Sequence, residues 1–132
     1  MTRRPTVMVA DDHQRFREAL VAVLELDGFE VVGQAADGAD AVALAKQLQP
    51  DVVVMDLSMP VLNGLDATRL VRDALPSTPV VVLTAFTGAE LEQAALAAGA
   101  TAYLAKDANL EELRATLAAA VEALADRPDL GC

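Results

Sequence analysis

The sequence predicts an α/β fold: a doubly wound parallel sheet of five strands in the order 2-1-3-4-5, with helices on both faces. Short β-branched runs alternate along the chain with segments in which apolar residues recur at helical spacing. The runs DVVVM and PVVVLTA are apolar without alternation, which is typical of strands covered by helices on both sides. Strands that alternate with helices in this way require right-handed crossovers, and these make the sheet parallel.

The five predicted strands are short and end at polar or turn-forming residues. They are TVMVA at 6–10, EVVGQAA at 30–36, DVVVM at 51–55, PVVVLTA at 79–85 and TAYLA at 101–105.

The first helix is predicted in QRFREALVAVLELDG. Phe16, Leu20, Val23 and Leu24 lie at i, i+4, i+7 and i+8 and therefore share one helix face. Gly28 follows that stripe and is expected to close the helix, because glycine adopts the left-handed conformation of many helix ends.

The second and third helices follow from capping residues and apolar spacing. Asp37 can cap the second helix, and Pro50 ends it. The third helix follows Gly64. Inward positions are predicted at Ala41, Leu44, Ala45 and Leu48 in the second helix, and at Leu65, Thr68, Val71 and Leu75 in the third.

The last two helices carry recognisable start signals. Thr87 with Glu90 forms a capping-box pattern for the fourth helix, which Gly99 is expected to end. Asn109 with Glu112 can start the fifth helix. Its predicted apolar stripe consists of Leu110, Leu113, Leu117, Val121 and Leu124.

Composition and charge restrict the function. The 132 residues suffice for one domain, and their 54% hydrophobic content is far from that of disordered chains. The formal net charge of −10 argues against nucleic-acid binding by this surface, because phosphate contacts need a basic stripe. The single cysteine, Cys132, excludes a disulfide within one chain. The N-terminal apolar stretch is too short for a signal peptide or membrane span, so a cytoplasmic protein without membrane contact is expected.

Polar side chains follow the strands where a parallel sheet binds ligands. Asp11 and Asp12 end the first strand, Asp56 ends the third, Thr84 ends the fourth and Lys106 follows the fifth. In open parallel sheets, ligands bind outside the carboxyl ends of the strands, where the strand order reverses. The order 2-1-3-4-5 makes strands one and three neighbours, so we expect their acids to converge.

Three converging carboxylates raise one another's pKa values unless a cation joins them. Their ligand set is all oxygen, which favours Mg²⁺, Mn²⁺ or Ca²⁺ over zinc. Such a site suits a phosphoryl group that arrives at a carboxylate. Asp56 is the candidate nucleophile because it ends a rigid buried strand. Lys106 would supply positive charge to a phosphoryl oxygen, and Thr84 a hydroxyl donor.

These residues resemble the motifs of response regulator receiver domains of two-component systems. The chain is similar to that family over residues 5 to about 125. The motifs are VADDH, VMDLSMPVLNG, VVLTA and AYLAKD, and ADDHQRFREAL, LTAF and YLAKD are most similar to the NarL/LuxR-type subgroup. The resemblance implies a flavodoxin-like (βα)5 receiver domain at residues 1–125. Residues 126–132, DRPDLGC, would then be a tail or the start of a linker.

The resemblance also implies a role for each matching residue. Asp56 would accept a phosphoryl group from a sensor histidine kinase. Mg²⁺, or alternatively Mn²⁺, would be bound by Asp11, Asp12, Asp56 and the backbone carbonyl of Ser58. Thr84 and Lys106 would bind phosphoryl oxygens, and Tyr103 would change position together with Thr84. The expected output is dimerisation, or control of a DNA-binding helix-turn-helix domain in a longer parent protein. The resemblance implies that the output surface would be helix four, strand five and helix five, or the face of helices one and five.

The sequence is also compatible with three other functions. A stand-alone or degenerate receiver would act as an interaction module without phosphorylation. An aspartate-nucleophile phosphatase would need a second acid where Ser58 stands. A flavin-binding module of the same topology would need a phosphate-binding loop in place of the acidic DDHQ segment.

Overall fold

The computed structural model describes residues 4–86 and 88–126. Within them, strands and helices alternate throughout. In chain order the elements are β1 (Thr6–Ala10), α1 (Gln14–Leu26), β2 (Glu30–Ala35), α2 (Gly38–Leu48), β3 (Val52–Met55), α3 (Gly64–Ala74), β4 (Val80–Thr84), α4 (Ala89–Ala97), β5 (Ala102–Ala105) and α5 (Leu110–Asp126). Within the described ranges, no helix is both long and apolar enough to cross a bilayer.

The strands form one sheet in the order β2-β1-β3-β4-β5, and every neighbouring pair is parallel. This confirms the predicted topology. Ala10 is paired with Met55, so β1 and β3 end level with each other. The backbone N–H of Asp56 donates to the carbonyl oxygen of Ala10 at 2.9 Å. The ladder therefore continues one step beyond the strands and brings the residues that follow them side by side.

Alternate residues of β1 point to opposite faces of the sheet, and each face has its own core. Val7 and Val9 belong to a cluster with Leu24 of α1 and Leu117 of α5. Met8 points the other way, into a cluster with residues of α2 and α3 that include Ala41, Ala45, Ala67 and Val71. Helices thus cover both faces, which is why the central strands contain almost no polar residue.

Most strands are slightly shorter than predicted. Five residues that the sequence placed at strand ends lie just outside the observed strands: Ala36, Asp51, Pro79, Ala85 and Thr101. Pro79 has no N–H to donate to a ladder, although its carbonyl oxygen accepts from Val53 at 3.0 Å. The N–H groups of Asp51 and Thr101 also donate to neighbouring strands, to Thr6 and Val80, so each predicted end differs from the observed end by a single residue.

Several predicted helix ends are confirmed by hydrogen bonds. The Asp37 side chain accepts from the N–H of Asp40 at 2.8 Å, and the Asn109 side chain accepts from the N–H of Glu112 at 2.7 Å. Gly28 follows α1 with a φ of +95°, which is the left-handed region. The N–H of Phe29 donates to the carbonyl oxygen of Leu24 across this turn.

Two helix details differ from the sequence prediction. Gly88 occupies the cap position of α4 and provides no side-chain hydrogen bond, whereas Thr87, the predicted cap, lies outside the described residues. Leu110 was assigned to the inward stripe of α5, and this was wrong: it is the first residue of the helix and is 55% exposed. Leu113 and Leu117 are buried as predicted. The side chain of Leu124, the last predicted residue of this stripe, and residues 127–132 of the predicted tail lie outside the part of the chain that the structure describes.

Candidate functional site

Three carboxylates meet at the carboxyl ends of β1 and β3. One oxygen each of Asp11, Asp12 and Asp56 can be chosen so that all three lie within 4.8 Å of one another. Asp11 is 2% and Asp56 4% exposed, whereas Asp12 faces solvent. The level ends of the two strands place Asp11 and Asp56 next to each other. The predicted convergence is therefore present in the structure.

Lys106 lies against the two buried carboxylates. Its Nζ is 2.8 Å from Oδ2 of Asp11 and 3.4 Å from Oδ2 of Asp56. The N–H of Lys106 donates to the carbonyl oxygen of Thr84 at 2.8 Å, and the N–H of Ala108 donates to Ala105 at 3.0 Å. Lys106 thus leaves the end of β5 from a turn that is bonded to β4, which aims its side chain at the acids.

Phe16 of α1 also contacts this lysine. Its ring centroid is 4.5 Å from Nζ of Lys106. An ammonium at this distance is attracted by the negative face of the ring. The sequence reading placed Phe16 in the apolar stripe of α1 and did not predict this contact. Periodicity identifies the buried face of a helix but not the charged atom at its edge.

The charges at the site influence one another. Burial raises the pKa of Asp56 above its usual value, and the negative charge of Asp11 raises it further. Lys106 and the N–H of Ser58 act in the opposite direction. Burial alone would lower the pKa of Lys106, but its hydrogen bond to Asp11 and the charges of both acids outweigh this and raise it. The site therefore has an excess of negative charge that a cation would relieve.

Asp11 is fixed by contacts to its backbone and side chain. Its N–H donates to the carbonyl oxygen of Ala35 at 2.9 Å, and its Oδ1 accepts from the N–H of His13 at 2.8 Å. Nη1 of Arg17 donates to the Asp11 carbonyl oxygen at 2.6 Å. Arg17 was not among the site residues predicted from sequence, because its relation to Asp11 depends on how α1 packs.

Thr84 and Tyr103 are linked through the backbone of Phe86. Thr84 is fully buried, and its Oγ1 accepts from the N–H of Phe86 at 3.3 Å. The hydroxyl of Tyr103 donates to the carbonyl oxygen of the same residue. Burial raises the pKa of Tyr103, and the charge of Glu92 adds to this shift. The hydroxyl of Thr84 and the aromatic ring of Tyr103 are therefore attached to one loop.

The loop after β3 packs closely on Asp56. Ser58 is exposed, and its N–H lies 3.5 Å from Oδ1 of Asp56. A Cβ added at Gly64 would lie only 2.0 Å from the carbonyl oxygen of Asp56 and 2.6 Å from Cα of Leu57. A glycine is required here because α3 begins directly against the end of β3. This contact explains why the turn after β3 ends in a glycine.

The donor set fits a hard divalent cation. Three carboxylates, two of them buried and beside a lysine, provide oxygen ligands and an excess of negative charge. The order of the strands and this rim of acids, hydroxyl and lysine are typical of one class of α/β signalling domain. Comparison with known proteins identifies the family. The model of the response regulator receiver domain matches residues 7–118, and the chain belongs to this family.

Named relatives agree with this assignment. The chain is 42% identical over 108 residues to the response regulator GacA of Pseudomonas aeruginosa, covering 81% of the chain and 50% of that protein. It is 39% identical over 108 residues to the transcriptional regulatory protein LnrK of Bacillus subtilis, covering 81% and 49%. The chain thus spans about half the length of these curated relatives.

A solved structure is similar over nearly the whole chain. It is the signal receiver domain of the response regulator NarL from Mycobacterium tuberculosis, with 35% identity and a TM-score of 0.82. The match covers 96% of this chain and 100% of that one. NarL/LuxR-family receivers are therefore among its structural neighbours, as the sequence motifs indicated.

Proposed function

We propose that this chain is a phosphorylation switch whose acceptor is Asp56. The observation that carries the proposal is the position of Asp56: a buried carboxylate at the end of β3, 3.4 Å from Nζ of Lys106 and clustered with two further acids. A carboxylate on a rigid strand end can attack a phosphoryl group without reorganising the backbone. Membership of the receiver family supports the same assignment.

The proposed reaction transfers a phosphoryl group from a sensor histidine kinase. A carboxylate oxygen of Asp56 forms a bond to phosphorus while the bond from phosphorus to the imidazole nitrogen of the phosphohistidine breaks. The imidazole leaves with the electron pair of that bond and takes a proton from water. Lys106 stabilises charge on the phosphoryl oxygens, and the hydroxyl of Thr84 donates to one of them.

We assign the metal site to Asp11, Asp12, Asp56 and the backbone carbonyl of Ser58. Mg²⁺ is the proposed ion, with Mn²⁺ as an alternative, because hard oxygen ligands and an approaching phosphoryl group suit both. When bound, the ion neutralises negative charge that develops on the phosphoryl oxygens. The protein's own contribution is to hold three acids together beside one lysine.

The output is a shift between two conformations of the domain. Thr84 and Tyr103 share the Phe86 backbone, so movement of the hydroxyl towards a phosphoryl group changes the environment of the ring. The surfaces proposed to respond are α4, β5 and α5, or the face of α1 and α5. The consequence would be homodimerisation, or control of a DNA-binding domain in a longer parent protein, with residues 1–125 as the cytoplasmic receiver unit.

The alternative function is that of an interaction module. A stand-alone or degenerate receiver that acts as an interaction module without phosphorylation is the competing function. Such a module has no need for the Lys106 contacts to Asp11 and Asp56. Phosphorylation of the isolated chain separates the two possibilities.

Intact mass spectrometry after incubation with acetyl phosphate tests the proposal. A single phosphoryl adduct that needs Mg²⁺ and is absent in Asp56→Asn is the expected result. The Asp73→Asn variant is a matched control, because it removes an exposed carboxylate on α3 and should leave the adduct intact. An adduct that persists in Asp56→Asn would show that another residue is the acceptor.

A further inference from the structure

We propose that Arg17 is a positioning residue for the metal site: its guanidinium fixes the peptide plane that joins Asp11 to Asp12. This inference rests on the proposed function, because it concerns how the same acids are held. Arg17 lies in the first turns of α1 and is half-buried. It faces the loop between β1 and α1 that carries both acids.

The hydrogen bonds of Arg17 identify what it holds. Nη1 donates to the carbonyl oxygen of Asp11 at 2.6 Å, and Nε donates to Oε1 of Gln34 at 3.1 Å. Gln34 lies near the end of β2, so the guanidinium bridges the loop and the neighbouring strand. Two donors of one planar group on two separate acceptors define its orientation as well as its position.

The carbonyl that Arg17 binds belongs to the peptide bond between Asp11 and Asp12. Because a peptide bond is planar, fixing its oxygen also fixes the N–H of Asp12 and the direction in which that residue continues. The N–H of Asp11 is already bonded to Ala35, and its two carboxylate oxygens contact His13 and Lys106. The hydrogen bond from Arg17 therefore fixes the last free polar group of Asp11, its carbonyl oxygen. It also restrains the backbone of Asp12.

Asp12 depends on this restraint more than Asp11 does. Its side chain is exposed, whereas that of Asp11 is packed in the site. The direction of an exposed carboxylate follows from the backbone that carries it. Loss of Arg17 should therefore weaken cation binding through Asp12 and leave the contacts of Lys106 with Asp11 in place.

The charge of Arg17 acts in the opposite direction. A guanidinium near the acids repels a divalent cation, so removal of its charge alone would strengthen cation binding. At about 1 M salt the Debye length is about 3 Å, which suppresses this long-range effect but leaves a direct hydrogen bond. Measurements at low and high salt therefore separate positioning from charge.

The experiment measures the Kd of Mg²⁺ by calorimetry for the unphosphorylated full chain. Arg17→Met should raise the Kd about tenfold at high salt, the effect typical of groups that orient metal ligands. Arg17→Lys keeps the charge but cannot reproduce two fixed donors, so its Kd should lie between those of the wild type and Arg17→Met. Arg15→Met is the matched control, because it removes an exposed arginine from the same helix and should leave the Kd at high salt unchanged.

Gln34→Met provides a test that involves no charge. It removes the acceptor of Nε, so it should raise the Kd in the same direction as Arg17→Met but by less. Thermal unfolding followed by circular dichroism confirms that each variant is folded. With acetyl phosphate, Arg17→Met should need more Mg²⁺ for half-maximal phosphorylation yet approach the wild-type rate at saturating Mg²⁺, whereas a general disruption of the site lowers both.

The outcomes distinguish this inference from the proposed function. A wild-type chain that binds no Mg²⁺ would overturn the proposed function, and this inference with it. If the wild-type chain binds Mg²⁺ and Arg17→Met has the same Kd at high salt, the positioning role of Arg17 is overturned. The proposed function would not be affected by this result. If Gln34→Met left the Kd unchanged while Arg17→Met and Arg15→Met shifted the Kd equally, the effect would be due to charge. This outcome would also reject the positioning role of Arg17.

Discussion

At the scale of single residues, Asp56 combines burial with proximity to a second acid. Both effects favour the protonated carboxyl in the folded chain. The lysine at 3.4 Å opposes them only in part. The burial and the neighbouring acid that support Asp56 as the proposed acceptor therefore reduce the stability of the metal-free fold at neutral pH.

The first prediction concerns the pH dependence of stability in a chelator. The folded-state pKa of Asp56 is raised, so its stabilising contribution is fully present below about 3.9, the usual aspartate value, and is lost as pH rises through the folded-state pKa. Asp56→Asn has no such loss. Its melting temperature relative to the wild type should therefore increase as pH is raised from 4 towards neutrality.

Asp73→Asn is the control for this measurement, because it removes an exposed carboxylate of α3. Thermal melts of the three proteins across the pH series give the comparison. A difference between Asp56→Asn and wild type that stays constant with pH would contradict the raised pKa.

A second prediction at this scale concerns Thr68. Its hydroxyl is completely buried in α3 and lacks a hydrogen-bond partner among the described residues. A buried polar group without a partner costs about 1–3 kcal/mol. Thr68→Val removes the hydroxyl at nearly constant shape and should increase the free energy of unfolding in urea by about 1 kcal/mol.

Thr116→Val serves as the comparison for this substitution. The Thr116 hydroxyl donates to the carbonyl oxygen of Glu112 at 2.8 Å, so its removal deletes a satisfied hydrogen bond. This variant should be no more stable than the wild type. If both variants gained equal stability, the explanation for Thr68 would be wrong, and greater apolarity alone would account for the gain.

Local chemistry explains which residues could be predicted from the sequence. Asp37 and Asn109 were identifiable as caps because a cap acts on a backbone N–H three residues ahead. Asp11, Asp56 and Lys106 were identifiable because strand ends converge in a parallel sheet. Arg17 and Phe16 were missed as site residues because their partners lie on other elements and depend on helix packing.

At the scale of elements, the junction of β3 and α3 determines how Asp56 is presented. Gly64 begins α3 directly against the backbone of Asp56 and Leu57. Leu57 is buried, so the chain has no room to move outward at this point. The start of α3 therefore restricts the backbone at the end of β3, where Asp56 lies.

Gly64→Ala should damage both the fold and the site. The added Cβ would lie 2.0 Å from the carbonyl oxygen of Asp56, and neither backbone can yield without separating α3 from β3. We expect a loss of about 2–3 kcal/mol in the free energy of unfolding, as for other overpacked positions. Denaturation in urea measures it, and phosphorylation by acetyl phosphate should slow in the fraction that remains folded.

Gly28→Ala separates this steric effect from the general cost of replacing glycine. Gly28 has a φ of +95° with no atom within 4 Å of an added Cβ, so only backbone conformation is affected. The expected loss is about 1 kcal/mol. A Gly64→Ala variant that lost no more than Gly28→Ala would refute the close approach.

Element boundaries show the limits of sequence reading. The order and type of the elements could be predicted from the spacing of apolar residues, because the central strands β1, β3 and β4 are buried by helices on both faces. The start of α4 did not follow, since the capping-box pattern pointed to Thr87 whereas Gly88 occupies the cap position. Leu110 continued the apolar stripe of α5 but is 55% exposed at the first residue of the helix, so periodicity predicted burial that the packing does not provide.

At the scale of the whole molecule, the site concentrates part of the charge of an acidic chain. The formal net charge is −10, and three acids converge at one rim. Binding of a divalent cation to the folded state alone shifts unfolding by mass action. Mg²⁺ at about one hundred times its Kd should add about 2.7 kcal/mol of stability.

For a domain of this size, that stabilisation corresponds to an increase on the order of 10 °C in Tm. NaCl at equal ionic strength is the control for screening of the net charge. Asp12→Asn should abolish the increase produced by Mg²⁺ and keep that produced by NaCl. Equal increases for both salts would indicate screening without a specific site.

The order in which the site residues occur along the chain has a consequence for biosynthesis. The acids at Asp11, Asp12 and Asp56 are translated before β5, and the lysine that contacts Asp11 and Asp56 lies 50 residues after Asp56. A nascent chain that has emerged only through β4 therefore carries the acids without their lysine. The segment that completes the edge of the sheet is thus followed at once by the positive charge of the site, so the two buried acids gain their ion-pair partner only after Lys106 has been synthesised.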